Sequence, residues 1–295
     1  MYYRQNLLLG ALLIMASELM FASMGALVKQ ASVSLPNEML VFMRNFMGLL
    51  ILLPVLLRGG LGTLKTGVPH LHLLRSVLGV SAMYCFFYAL ANMPLANGVL
   101  LKMTSPIFMP LIAWLWLGEG GSRLALLAIP LGFFGVLLVL EPGSETSWFA
   151  LVGVLGGLLA AMAKVTVRRL GRSEPTVRTV VYFAILGALV SFVPMLFNWR
   201  SPDAGQWLML VLIGLFGSLG QLLLTRGYAI APAARIGPFT YFSVVYAALF
   251  GYLFWGETLE LAFIAGAGLI ITAGVMALQG ARSVNGKPVV QVEGD

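Results

Sequence analysis

Charge is what this chain has least of. Asp, Glu, Lys and Arg together make up 10% of its 295 residues, where a soluble domain carries about a quarter, so a water-facing fold has little to cover its apolar bulk with. Aspartate occurs twice, at Asp203 and Asp295, histidine twice, at His70 and His72, and cysteine once, at Cys85. A single cysteine excludes an internal disulfide and argues against a cysteine-based metal site. Both histidines sit in VPHLHLL, beside a loop, a poor base for haem or a catalytic metal. No metal and no cofactor is therefore expected. There is no GxxxxGKS/T phosphate loop, which argues against direct ATP drive, and no TVGYG potassium filter. An enzyme would have to work from Glu18, Lys102 and hydroxyls, and none is expected.

What the chain does have is apolar length. Hydrophobic residues make up 60% and the mean hydropathy is +0.95, which implies an all-α integral membrane protein. A net charge of +7 would suggest nucleic acid in a soluble chain, but here the basic residues concentrate in alternate loops and read as topology signals. No nucleic-acid partner is expected, only membrane lipid and a small-molecule substrate. A spanning helix needs about 20 mostly apolar residues. Ten segments qualify or nearly so: Leu7–Val28, Asn37–Leu57, Leu71–Ala91, Leu95–Leu117, Leu124–Leu140, Trp148–Val167, Thr176–Phe197, Trp207–Thr225, Ala233–Trp255 and Leu261–Leu278. The first run mimics a signal peptide, but it exceeds the 7–15 residues of a cleavable apolar core and is expected to stay as a helix.

One set of loops holds Arg58, Lys65, Arg75, Arg123, Arg168, Arg169, Arg172, Arg178, Arg226 and Arg235; the other holds only Lys29 and Arg200, beside Glu141, Glu145, Asp203, Glu257 and Glu260. The positive-inside rule then places both termini in the cytoplasm, which requires an even number of spans. An inner-membrane location is expected.

The segment ending FGYLFWGE at Glu257 repeats features of the one ending IAWLWLGE at Glu119. At that offset of 138 positions, Pro94 pairs with Pro232, Ser105 with Ser243 and Gly118 with Gly256 without a gap. Five helices, repeated, enter the membrane from opposite sides. The expected architecture is therefore ten transmembrane helices as two inverted five-helix repeats, 1–143 and 144–280, followed by a polar tail, 281–295. Inverted repeats are a mark of secondary transporters that bind substrate near the midplane.

These residues carry a family resemblance as well. YALANMPLANGVLLKMTSPIFMPLIAWLWLGEG resembles the third-to-fourth helix region of EamA-type members of the drug/metabolite transporter superfamily, and APAARIGPFTYFSVVYAALFGYLFWGET resembles the corresponding part of the second half. LVLEPG and MLVFMRNFMGLLILLP are similar to the family's fifth and second helices. The resemblance implies a ten-helix metabolite carrier, often an exporter. Glu18 departs from it, standing where many members show aromatic and small residues.

Three charges inside spans stand out, a charge at a helix centre costing about 2.5–3.5 kcal/mol on insertion scales. Glu18 shares a stripe with Ala11, Met15, Ala22, Gly25 and Lys29, a face suited to protein or a cavity. It reads either as a proton-coupling or amine-binding carboxylate or as half of a fixed ion pair with Arg44 or Lys102. Lys102 shares its stripe with Gly98, Ser105, Pro106, Met109 and Ala113. Pro106 and Pro110 remove the donors for the carbonyls of Lys102 and Pro106, and freed carbonyls are tolerated only against protein or a cavity. Lys102 reads as an anion-binding group on the path or as a lysine snorkelling to the interface. Arg44 suits a carboxylate, from Glu18 or substrate.

The offset maps Lys102 to Thr240, Glu18 to Gly156 and Arg44 to Tyr182, and charges present in one half only point to a ligand rather than a scaffold. Tyr84, Tyr88, Tyr241, Thr104, Ser105 and Gln221 complete the substrate-binding candidates. The glycines of GVLGGLLAA and GLFGSLG read as close helix contacts, and Glu119 and Glu257 as structural. The resulting expectation is a secondary active exporter of small metabolites, such as amino acids or related carboxylates, working by alternating access, with Glu18 as the proton-responsive group if transport is proton-coupled. The alternatives are a carrier of cationic aromatic drugs, a channel and a lipid-moving protein.

Overall fold

The computed structural model describes residues 7–59, 65–117, 123–140, 147–170, 173–230 and 236–285. Its elements are the helices α1 (Leu7–Ala31), α2 (Asn37–Gly59), α3 (Pro69–Asn92), α4 (Leu95–Lys102), α5 (Ser105–Leu117), α6 (Arg123–Leu140), α7 (Ser147–Leu170), α8 (Thr176–Phe197), α9 (Ala204–Ile230), α10 (Phe242–Trp255) and α11 (Leu261–Asn285). A 3-10 turn, Gly237–Tyr241, leads into α10. No strand occurs among the described residues.

Helix is what lipid imposes on such runs, because every backbone N–H and C=O must then be satisfied within its own segment. The 25 residues of α1 extend about 37 Å at 1.5 Å per residue, more than the roughly 30 Å hydrocarbon core. Five described stretches are long and apolar enough to cross: Leu7–Ala31, Pro69–Asn92, Trp148–Val167, Arg178–Phe197 and Ala204–Leu224. Leu126–Val139, Phe239–Trp255 and Leu261–Ala277 are shorter apolar helices. Leu8, Leu115, Phe197, Leu208 and Leu261 are each at least 60% exposed, an apolar surface that water would not tolerate on this scale. The chain is a multi-pass membrane protein.

The expected span Leu95–Leu117 is two helices, because Pro106 has no N–H to give the carbonyl of Lys102. The chain tightens instead: Thr104 N donates to Leu101 O at 3.1 Å and Ile107 N to Thr104 O at 2.9 Å, both i to i−3 bonds. Thr104 Oγ1 adds a 2.6 Å bond to Leu101 O. Pro110 does not break α5, so one of the two prolines makes the interruption. In the expected span Ala233–Trp255, residues 231–235 lie outside the described residues, and the junction of the 3-10 turn with α10 falls 138 positions after the Met103–Thr104 break. Helix α11 runs to Asn285, five residues into the stretch expected as tail.

Packing is dominated by α1 along α9, α3 along α7, α2 on α8 and α6 on α11. Without a hydrophobic drive between helices in lipid, close approach of small residues supplies the contact. A Cβ at Gly217 of α9 would lie 3.0 Å from Met24 Sδ and 3.3 Å from Arg44 Nε, and one at Gly220 would lie 2.9 Å from Phe21. The glycines of α7 do the same, with Gly157 seated on Thr104 and Leu101. The main core, with Phe87, Leu90, Leu95, Leu100 and Leu101 fully buried, centres on the α3–α4 corner.

Polar ties close both ends. At one, Lys29 Nζ pairs with Glu257 Oε1 at 2.6 Å and donates to Met93 O at 2.7 Å, while Leu95 N donates to Glu257 Oε2 at 2.8 Å. Gly256 makes this possible: its φ of 65° caps α10, and Glu257 N returns to Gly251 O, a glycine-capped helix end that turns the carboxylate back. Glu257 is thus structural, as its motif suggested; Glu119 lies outside the described residues. Nearby, Asp203 and Gln206 form a reciprocal capping box, and Gln206 and Arg200 both donate to Ser34. At the other end, Glu174 accepts from Arg178 and from Thr66, each at 2.6 Å.

Candidate functional site

Five helices bring charge into the interior. Glu18 lies midway along α1 and is 3% exposed. Arg44 on α2 is half-buried, its Nη1 donating to Asn45 Oδ1 at 3.2 Å. Asn45 in turn donates to Val41 O and to Ser191 Oγ, which ties α2 to α8. Lys102 is the last residue of α4, where the negative end of the helix dipole favours a cation. Its Nζ stands 4.6 Å from the centre of the Phe86 ring and 5.2 Å from that of Phe21, within cation–π range.

The fourth charge is Lys164 of α7, which sequence reasoning missed. It fell inside an apolar run and was absorbed into it. The available signal was its spacing from Gly153, Gly157 and Ala160, a small-residue stripe like that of Glu18. Lys164 Nζ donates to Ser105 Oγ at 2.6 Å. Ser105 is fully buried, so the Lys164 head reaches the break between α4 and α5.

Glu18 interacts electrostatically with Lys102 and Lys164, these two with each other, and Lys102 with Arg44. Among the described residues Glu18 has no ion pair within 4 Å, so the fixed pair with Arg44 or Lys102 does not form. Arg75, counted with the loop charges although it falls inside the expected span Leu71–Ala91, lies within α3, its guanidinium carbon 3.6 Å from the Phe183 ring centre. Its Nε and Nη1 are buried without hydrogen-bond partners, and it interacts electrostatically with Arg44.

The remaining candidates are spread around this cluster. Tyr84 is set by Asn37, whose Nδ2 donates to its carbonyl; Tyr88 packs against Phe149 at 5.8 Å. Tyr241 is 4% exposed and sits against Gly274, its hydroxyl without a hydrogen-bond partner. Thr104 Oγ1 donates back to Leu101 O at the break between α4 and α5, and Gln221 is exposed on α9. The structure thus brings Glu18, Arg44 and Lys102 within electrostatic reach of one another and adds Lys164, whose head is held by Ser105. No group of three His, Cys, Asp or Glu suited to a metal ion occurs among the described residues.

A cationic interior beneath interrupted helices suits small-molecule passage. The sequence matches the EamA-like transporter family twice, over residues 8–141 and 147–279. The chain belongs to that family. It is 35% identical over 268 residues to the pseudopaline exporter CntI of Pseudomonas aeruginosa, covering 90% of this chain and 94% of that one. It is 30% identical to a riboflavin transporter of Brucella anthropi, over 83% and 89% of the two chains. To an S-adenosylmethionine uptake transporter of Rickettsia bellii it is 26% identical, over 84% and 86%. A solved crystal structure at 18% identity superposes with a TM-score of 0.63 over 93% of this chain and 98% of its own, a likeness of fold alone. This EamA-family member is a small-metabolite transporter rather than an enzyme.

Proposed function

We propose that this EamA-family protein is a secondary active exporter of small carboxylates, such as amino acids or related acids, working by alternating access. The observation that carries the reading is the interior cluster in which Lys102, Arg44 and their neighbours outnumber a single carboxylate, Glu18. Uncompensated charge at this depth is costly without a partner or a wet cavity, and an anionic substrate is such a partner. Ser105 completes the inner set; Tyr84, Tyr88, Tyr241, Thr104 and Gln221 are the outer candidates. Export is favoured by the exporter relative at 35% identity over the uptake relative at 26%.

The architecture proposed for this cycle is ten spans in two inverted halves, 1–143 and 144–280. The paired family matches support the division. So does the packing: the 138-residue offset carries α1 to α7, α2 to α8, α3 to α9 and α6 to α11, and so turns the α1–α9 contact into the α7–α3 contact. Rocking of the halves would open the Lys29–Glu257 end. The bacterial relatives support an inner membrane, and the loop charges support cytoplasmic termini.

Thermal stability of the detergent-purified protein, measured against amino acids, organic acids, nucleosides and cationic drugs beside Lys102→Ala, tests the substrate class. Stabilisation confined to carboxylates and lost in the variant is expected; stabilisation by cationic aromatics that survives it overturns the reading. If export is proton-coupled, Glu18→Gln abolishes its pH dependence in proteoliposomes, and full retention removes Glu18 from that role.

A further inference from the structure

The interior cluster carries a surplus of positive charge. Arg44, Lys102 and Lys164 are linked electrostatically through Lys102, and Glu18 is the acidic group that acts on both lysines. The other described acidic groups near these helices are held at the ends: Glu257 by Lys29, and Glu174 by Arg178 and Thr66. Glu38 stands at the start of α2. None of the three cations has a carboxylate within ion-pair distance among the described residues. Glu18 offsets one of them and leaves two, and Arg75, which acts on Arg44, adds a further cation.

The two lysine heads are also set apart. Lys102 Nζ is seated over Phe86 of α3 and Phe21 of α1; Lys164 Nζ is held by Ser105 at the start of α5. They present two points of positive charge with different surroundings. Lysine is a mobile point charge rather than a fixed fork, so each head suits one carboxylate, and the pair suits an acid carrying two on a carbon chain.

We propose that Lys102 and Lys164 form a two-point anion seat, and that the carried substrate is doubly negative, a dicarboxylate, with Lys164 the residue that distinguishes it from a monocarboxylate. This rests on the carboxylate-carrier reading and narrows it. Lys164, held by Ser105 at the break between α4 and α5, takes one carboxylate. Lys102, flanked by aromatic rings, takes the second carboxylate. Ser105 holds the Lys164 head in place until substrate displaces the hydrogen bond.

The test is equilibrium binding to the full-length protein in detergent at neutral pH. The ligands are acetate, a dicarboxylate series from malonate to adipate, inorganic phosphate and choline. At least one dicarboxylate is expected to bind tenfold or more tightly than acetate. Lys164→Gln should cut that preference to within twofold while leaving acetate affinity within twofold, and Lys164→Arg should restore part of it. Acetate binding as tightly as every dicarboxylate overturns the proposal using unaltered protein alone, whether or not Lys164→Gln folds. So does a preference that survives Lys164→Gln, or tight binding confined to phosphate. Monocarboxylate binding that depends on Lys102 and not on Lys164 removes this proposal and leaves the carboxylate-carrier reading standing. Binding of choline with no anion bound removes both.

Discussion

Single side chains show where this protein tolerates no change and where it responds to its surroundings. Gly157 is the tightest informative case: a Cβ there would meet Thr104 Oγ1 and lie 3.0 Å from Leu101 O, at the break that positions Lys102 and Ser105. Gly157→Val should destabilise the protein by about 1–3 kcal/mol, the usual cost of overpacking, and be read as a lowered melting temperature in detergent. Glu174 responds to pH. Hydrogen bonds from Thr66 and Arg178 hold its carboxyl below the usual carboxylate range. A carboxylate with a depressed folded pKa contributes stability that is present above its unfolded value, about 4.3, and lost as pH falls through the folded one. The melting temperature of Glu174→Gln should therefore lie below that of the unaltered protein at pH 7, and the gap should narrow in acid below about pH 4. An undiminished gap there would mean that the tie is not carried by the ionised form.

Among the elements, the broken fourth segment and the capped end of α10 decide most. The sequence announced both: Pro106 as a missing donor, and Gly256–Glu257 as a turn followed by an acid. It could not announce that the break would fall at Met103–Thr104 or that Pro110 would leave α5 whole, because tertiary contacts with α7 settle which unsatisfied carbonyl is tolerated. Nor could it place Lys164, since hydropathy averages a lone lysine into its neighbours, or tell that Arg75, near the start of its span, is buried rather than a loop charge. The Glu257 carboxylate serves two partners at once, Lys29 and Leu95 N. Glu257→Gln should cost about 1–3 kcal/mol, between the values for exposed and buried pairs. Under the alternating-access reading it should also favour the state open at this end, seen as faster labelling of a cysteine introduced at Ser32.

For the whole molecule, apolar runs, loop charges and the 138-residue repeat made a helical membrane protein legible, and motif resemblance indicated the family. Which helices touch was not legible, because lipid removes the buried-face periodicity on which such reasoning depends. A Lys29→Cys, Glu257→Cys double variant, oxidised to a cross-link, should stop transport in proteoliposomes and recover on reduction; transport through the cross-linked form would exclude opening at this end. The same contact bears on how the protein is made. Lys29 and Glu257 are 228 positions apart, and a ribosome adding about 5–20 residues per second takes on the order of ten seconds to most of a minute to cover that distance. Through that interval the first helix is inserted with its terminal ammonium lacking its carboxylate, and water or lipid headgroups must supply the counter-charge. Helix α1 thus waits for a residue 228 positions later before its end is secured, and a nascent protein stalled short of residue 257 should present that helix to the quality-control proteases of the membrane.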